Sequence, residues 1–137
     1  MLETCMRIAG VLLLLLAAAH ITFPKRFHWA EELARLSLLN RQMFLVHVCY
    51  IVFLVASMGT LSLIFTDALL EKTTLAKIVL AWLFLFWFSR LFVQWLVYDR
   101  TLWRGDPFHT AVHFAFTGLW LYLSVVYGWA LWRQWPI

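Results

Sequence analysis

The sequence predicts an all-α integral membrane protein, an antiparallel four-helix bundle with an amphipathic interfacial helix between the first and second spans. Three observations predict it. Of 137 residues, 64% are hydrophobic and 13% charged, against about 45–50% and about 25% in soluble domains. A fold this small leaves much of its surface wet, so water could not accommodate that apolar excess. Four apolar stretches are each long enough to cross a ~30 Å hydrocarbon layer at ~1.5 Å rise per residue. Finally, the segments between them are short, which makes sequential spans antiparallel neighbours. Backbone groups inside a bilayer must pair within their own segment, so the stretches read as helices rather than strands. Disorder is excluded by the same composition, since disordered chains are poor in apolar residues. The length predicts a single domain over residues 1–137.

The first span is expected over residues 5–23. Arg7, the Val11 to Leu16 run and Ala17-Ala18-Ala19 also have the outline of a signal peptide. Glu3 offsets Arg7 in what would be its basic region, which favours a transmembrane helix. Pro24 is expected to stop this span, because an interior proline loses a hydrogen bond and clashes with the preceding turn. Beyond it, Trp29, Leu33, Leu36 and Leu39 recur at helical spacing, with His28, Glu31, Glu32 and Arg35 elsewhere around the wheel. That pattern predicts the interfacial helix, over residues 27–39.

The second span, residues 42–65, carries no formal charge, and Asn40 is the expected cap of its helix. A short polar link around Asp67 to Lys72 predicts a hairpin to the third span, residues 74–98, whose apolar run from Ile78 to Tyr98 holds one charge, Arg90. Asp106-Pro107 is a helix-start signal, an N-cap acceptor followed by a proline pre-set for the first turn. It opens the fourth span, residues 107–133.

Lys25, Arg26, Arg35, Arg41, Arg100 and Arg104 fall on one expected face, and Arg7, Lys72, Lys77 and Arg133 on the other. The excess favours the first face as cytoplasmic and both termini outside, in an inner or plasma membrane. The net charge of +4 suits anionic lipid and, with no basic run or recognition motif, gives no reason to expect nucleic acid. Cys5 and Cys49 are expected near opposite membrane faces, out of disulfide range.

All five histidines map to one half of the membrane. His47 and His113 each lie seven residues past an expected cap, Asn40 and Asp106, which puts both roughly 10 Å inside their helices. Arg90 approaches that level from the other direction, with His20, Gln94, Tyr98 and His109 in a shallower layer. Arg90, Gln94 and Tyr98 form an i, i+4 stripe on the third span. His109, His113, Thr117, Trp120, Ser124 and Tyr127 form one on the fourth, and His47, Tyr50 and Ser57 one on the second. Polar stripes in membrane helices are expected to face the bundle interior. Trp82, Trp87, Trp95 and Trp120 are read as packing or lipid contacts. Trp29, Trp103, Trp129, Trp132 and Trp135 are read as an interfacial belt.

An intramembrane arginine costs ~2.5–3.5 kcal/mol on insertion scales, so Arg90 marks a candidate site. Its expected partners are Glu31, Glu32, Asp99 or a bound anionic group. The expected cofactor-binding set is His47, His113, Arg90, Gln94 and Tyr98. Haem b ligated by His47 and His113, with Arg90 facing a propionate, is one reading; a quinone headgroup held by His and Arg is another. A transition metal on His20, His109 and His113, with His47 as a further ligand, is a third. His109-Thr110-Ala111-Val112-His113 lacks the glutamate of the HExxH zinc-protease motif. No P-loop, GxSxG or CxxC is present, and no catalytic residue is assigned. The pattern points first to a small multi-pass subunit of a larger membrane complex, with electron transfer through haem or quinone contacts. The alternatives are a membrane-embedded enzyme using histidine for metal or acid/base chemistry on an amphipathic substrate, and an oligomeric transporter or channel.

Overall fold

The computed structural model describes residues 1–103 and 105–135, with Arg100 described by its backbone alone. Arg104, counted above in the charge balance, lies outside the described residues, as does the Arg100 side chain. Among the described residues the ordered elements are helical: α1 (Leu2–Ala19), α2 (Phe23–Arg26), α3 (Trp29–Ala34), α4 (Leu38–Ile64), α5 (Thr66–Leu70), α6 (Thr74–Leu96), a 3₁₀ turn at Arg100–Leu102, and α7 (Pro107–Trp132). Four of them, α1, α4, α6 and α7, are long and apolar enough to cross a membrane.

The boundaries differ from expectation in instructive places. α1 stops at Ala19, before Pro24, which instead sits in the first turn of α2. Of the interfacial helix expected over 27–39, only Trp29–Ala34 forms α3, and the chain breaks before α4 begins at Leu38. His28 takes a left-handed conformation (φ 50°) at the start of α3, where the chain turns away from α2. The cap of α4 is Ser37 rather than Asn40; its hydroxyl accepts from the Asn40 N–H at 3.4 Å. Asp106 caps α7 as its Asp-Pro signal predicts, accepting from the Phe108 N–H at 2.8 Å and the His109 N–H at 3.1 Å.

The chain forms two compact units, Arg7–Phe65 and Met1–Met6 with Thr66–Ile137. In the first, α1 and α4 approach until their backbones nearly touch. A Cβ on Gly10 would stand 2.7 Å from the Leu63 nitrogen and 2.8 Å from the Gly59 oxygen. Glycine at such crossings lets helix backbones come together where lipid offers no hydrophobic drive. Arg7 Nη1 donates to the Leu63 carbonyl at 3.2 Å, satisfying one of the acceptors that the end of α4 leaves open.

In the second unit α6 and α7 form an antiparallel hairpin. Lys77 lies over the Trp135 ring, Trp87 stacks on Trp120, and Gln94 bonds His113, so partners descend along one helix as they climb the other. Leu80, Leu83, Leu123, Val126, Tyr127 and Ala130 are buried. α5 joins through Gln134, whose Nε2 donates to the Leu69 carbonyl at 3.1 Å. Tyr122 donates its hydroxyl proton to the Cys5 carbonyl at 3.0 Å. Both cysteines are free.

Candidate functional site

The α6–α7 hairpin assembles a polar cluster inside an aromatic shell. Helical spacing puts Arg90 and Gln94 on one face of α6, and Asp106 fixes the start of α7 so that His113 falls two turns in. Gln94 (6% exposed) and His113 (4% exposed) meet at 2.8 Å between Nε2 and Nδ1. Trp120 Nε1 donates to Gln94 Oε1 at 3.3 Å.

This chain of bonds fixes the proton positions. An indole N–H only donates, so the amide oxygen of Gln94 must face Trp120 and its NH₂ must face His113. His113 Nδ1 therefore accepts, and the neutral imidazole carries its proton on Nε2. That Nε2 is buried and has no hydrogen-bond partner among the described residues.

Arg90 closes the cluster from the side. Its Nη2 donates to the Tyr98 hydroxyl at 3.2 Å, and its guanidinium lies 5.1 Å from the Trp120 ring and 5.3 Å from the Tyr98 ring. Such faces attract a cation where hydration is weak. Among the described residues Arg90 Nη1 is buried without a partner, as is the indole N–H of Trp87, which stacks on Trp120 at 5.1 Å and 12°. All three unpartnered atoms are donors, and all belong to one set of touching side chains.

Asp99, an expected partner of Arg90, is engaged elsewhere. Its carboxylate accepts from the Thr101 N–H at 2.8 Å and the Thr101 hydroxyl at 2.7 Å. The backbone bond first, then the hydroxyl, hold its pKa below the ordinary value. A short turn satisfies that carboxylate locally, so it need not reach across to the guanidinium.

Trp103 covers His113. It comes from the α6–α7 connector, stacks on the imidazole at 3.9 Å and 11°, and has its carbonyl held by the Thr110 hydroxyl at 2.6 Å. Trp95 meets the same imidazole edge-on at 5.1 Å.

The remaining histidines make local bonds. His20 Nδ1 donates to the Leu16 carbonyl at 2.8 Å, and His47 Nδ1 to the Met43 carbonyl at 2.6 Å, each one turn back in its own helix. Carbonyls only accept, so Nδ1 carries the proton in both. His109 turns back to its cap, with Nδ1 2.9 Å from the Asp106 carboxylate. That carboxyl is held below its ordinary pKa, chiefly by the His109 N–H. His109 and His113 share a helical face, yet each Nδ1 is engaged by a different partner. Among the described residues no group of three His, Cys, Asp or Glu side chains is placed to hold a metal ion.

The structure thus brings together Arg90, Gln94, Tyr98 and His113. His47 lies in the other unit, ten residues past Ser37 rather than seven past a cap (47 minus 37), so the equal-depth argument that paired it with His113 does not hold. The whole stripe expected to point inward from α4 is exposed: His47, Tyr50 and Ser57. Hydroxyls of Ser57, Thr117 and Ser124 bond carbonyls four residues back in their own helices. Sequence reasoning missed Trp87 and Trp103 as members of the cluster. Trp120 was legible only as part of the α7 stripe.

An axial haem ligand bonding through Nε2 needs its lone pair there and a donated Nδ1–H. His113 holds the opposite tautomer, and its Nδ1 is occupied by the Gln94 amide, so the residue does not fit that role. No known protein family, curated protein or solved structure matches the chain.

Proposed function

We propose that the chain is a small multi-pass subunit of a membrane electron-transfer complex, its four long helices forming an antiparallel bundle with both termini outside. The α6–α7 cluster is its binding site for a quinone headgroup. The observation that carries this reading is the set of buried, unpartnered donors on Arg90, His113 and Trp87. Leaving a buried donor unsatisfied costs ~1–3 kcal/mol, more for a charged group. Three of them within one aromatic cluster call for a ligand that offers acceptors and a flat face. A quinone has two carbonyl acceptors on a planar ring and an apolar tail that suits the bilayer. Trp103, on the connector, is the residue whose movement would admit it.

The subunit part of the reading draws on α4. An exposed histidine within an apolar span is costly against lipid, whereas a neighbouring chain can supply a donor to the His47 Nε2 lone pair.

Titration of the detergent-purified protein with a short-chain ubiquinone, read by tryptophan fluorescence, tests the site. Saturable quenching is expected, with affinity falling about tenfold in Arg90→Gln and in His113→Phe, the loss of roughly one buried hydrogen bond each. Quenching that never saturates, or equal affinity in both variants, would refute the quinone site.

A further inference from the structure

A second site lies at the other end of the same unit. A cavity of about 290 Å³ opens among the first residues of α1, the α5–α6 link and the end of α7, and its lining includes Leu2, Glu3, Leu70, Lys72, Arg133 and Gln134. Small-molecule sites span about 300–1,000 Å³, so this space suits a headgroup rather than a whole lipid. Lys72 and Arg133 are exposed at its rim, while Gln134 is 4% exposed at its wall.

Gln134 supplies the decisive detail. Its Nε2 donates to the Leu69 carbonyl, so the amide orientation is set and Oε1 is the atom left over. That Oε1 is buried and has no hydrogen-bond partner among the described residues. The cavity is therefore lined by two cations that want an anion, by the Glu3 carboxylate, and by Gln134, whose buried Oε1 wants a donor. A free phosphate would answer the cations alone. We propose that this cavity binds the headgroup of an amine-bearing zwitterionic phospholipid of the phosphatidylethanolamine class. Its phosphate lies on Lys72 and Arg133, and its ammonium donates to Gln134 Oε1 with Glu3 nearby. Leu2 and Leu70 meet the glycerol and the first carbons of the acyl chains. This assignment uses none of the residues of the quinone reading and stands or falls separately from it.

The test is native mass spectrometry of the full chain, released from detergent with defined lipids of identical acyl chains. Phosphatidylethanolamine supplies three N–H donors, its monomethyl derivative two, and phosphatidylcholine none, at constant phosphate. Occupancy is expected to fall along that series, by about tenfold from first to last, the worth of one charge-assisted hydrogen bond. Phosphatidylglycerol, whose hydroxyls can donate to Gln134 Oε1 but bring no positive charge to Glu3, should bind less than phosphatidylethanolamine. The Lys72→Ala/Arg133→Ala variant, altered only at exposed positions, should bind all of them more weakly, because it loses both phosphate contacts. Equal occupancy across the methylation series, unchanged occupancy in the double variant, or displacement of the lipid by millimolar inorganic phosphate would each overturn the proposal.

Discussion

Gln94 is the residue on which the α6–α7 cluster turns, because one side chain spends its acceptor on Trp120 and its donor on His113. Gln94→Leu keeps the bulk and removes both functions, stranding a buried indole N–H and a buried imidazole Nδ1. At ~1–3 kcal/mol per stranded group, the loss from the two should be about 2–6 kcal/mol, seen as a lower midpoint in denaturant or thermal unfolding of the detergent-solubilised protein. Trp120→Phe strands only the Gln94 oxygen and should cost less than Gln94→Leu. The reverse order would mean that the bonds are incidental to the packing. Little of this was readable in advance. The i, i+4 stripe placed Arg90, Gln94 and Tyr98 on one face, and Asp106-Pro107 set the depth of His113. Which donors would be left unpaired depends on the bonds their neighbours make across the hairpin, and a one-dimensional pattern does not contain those. Trp103 is the clearest example: as a residue of a connector it reads as interfacial, yet the fold lays it on His113.

At the scale of elements, the long helices were legible because lipid forces their backbones into one form, whereas their ends depend on single caps. Ser37 displaced Asn40 as the cap of α4, so that the expected interfacial helix stops at Ala34, and a left-handed His28 sets where α3 begins. The start of α7 depends on ionised Asp106. Its folded pKa is lowered, first by the His109 N–H bond, so its contribution is complete above the ordinary carboxylate pKa of ~3.9 and is lost as pH falls through the lower folded value. Amide-exchange protection at Phe108 and His109 should therefore hold from pH 8 to 5 and weaken only below about pH 4. Asp106→Ala should remove it at every pH, and protection already lost at pH 6 would contradict the assignment. The α1–α4 crossing makes a different demand. A Cβ at Gly10 meets backbone nitrogen and oxygen at 2.7 and 2.8 Å, and backbone cannot swing aside as a side chain can. Gly10→Ala should destabilise by about 1–3 kcal/mol, the usual cost of overpacking. Gly118→Ala, where an added Cβ meets nothing within 4 Å, should be neutral or stabilising through helix propensity. Equal effects at the two glycines would deny the close crossing.

For the molecule as a whole, the large side chains left outside are of the kind that a soluble protein hides. Phe53 is 69% exposed on α4 and Leu85 61% on α6, each near the middle of its helix, and Val125 is 58% exposed two turns before the end of α7. Monomeric soluble proteins rarely display apolar surface on that scale, and here it lies on helices long and apolar enough to span. A charge introduced at these positions separates a lipid surround from an aqueous one. Against hydrocarbon, Phe53→Lys or Leu85→Lys should cost ~2.5–3.5 kcal/mol of insertion at mid-span, enough to leave much of the affected helix uninserted in a translocon assay with glycosylation reporters. Leu36→Lys, on the connector before α4, serves as the control and should insert like the parent. Arg90 escapes the same penalty because Trp120 and Tyr98 face its guanidinium and the Tyr98 hydroxyl accepts from it. A lysine at position 53 would have no such shell on the outward side of α4. Insertion of Phe53→Lys at the parent level would therefore show that this face meets water or a polar partner rather than lipid, and the membrane-spanning assignment of α4 would fall with it.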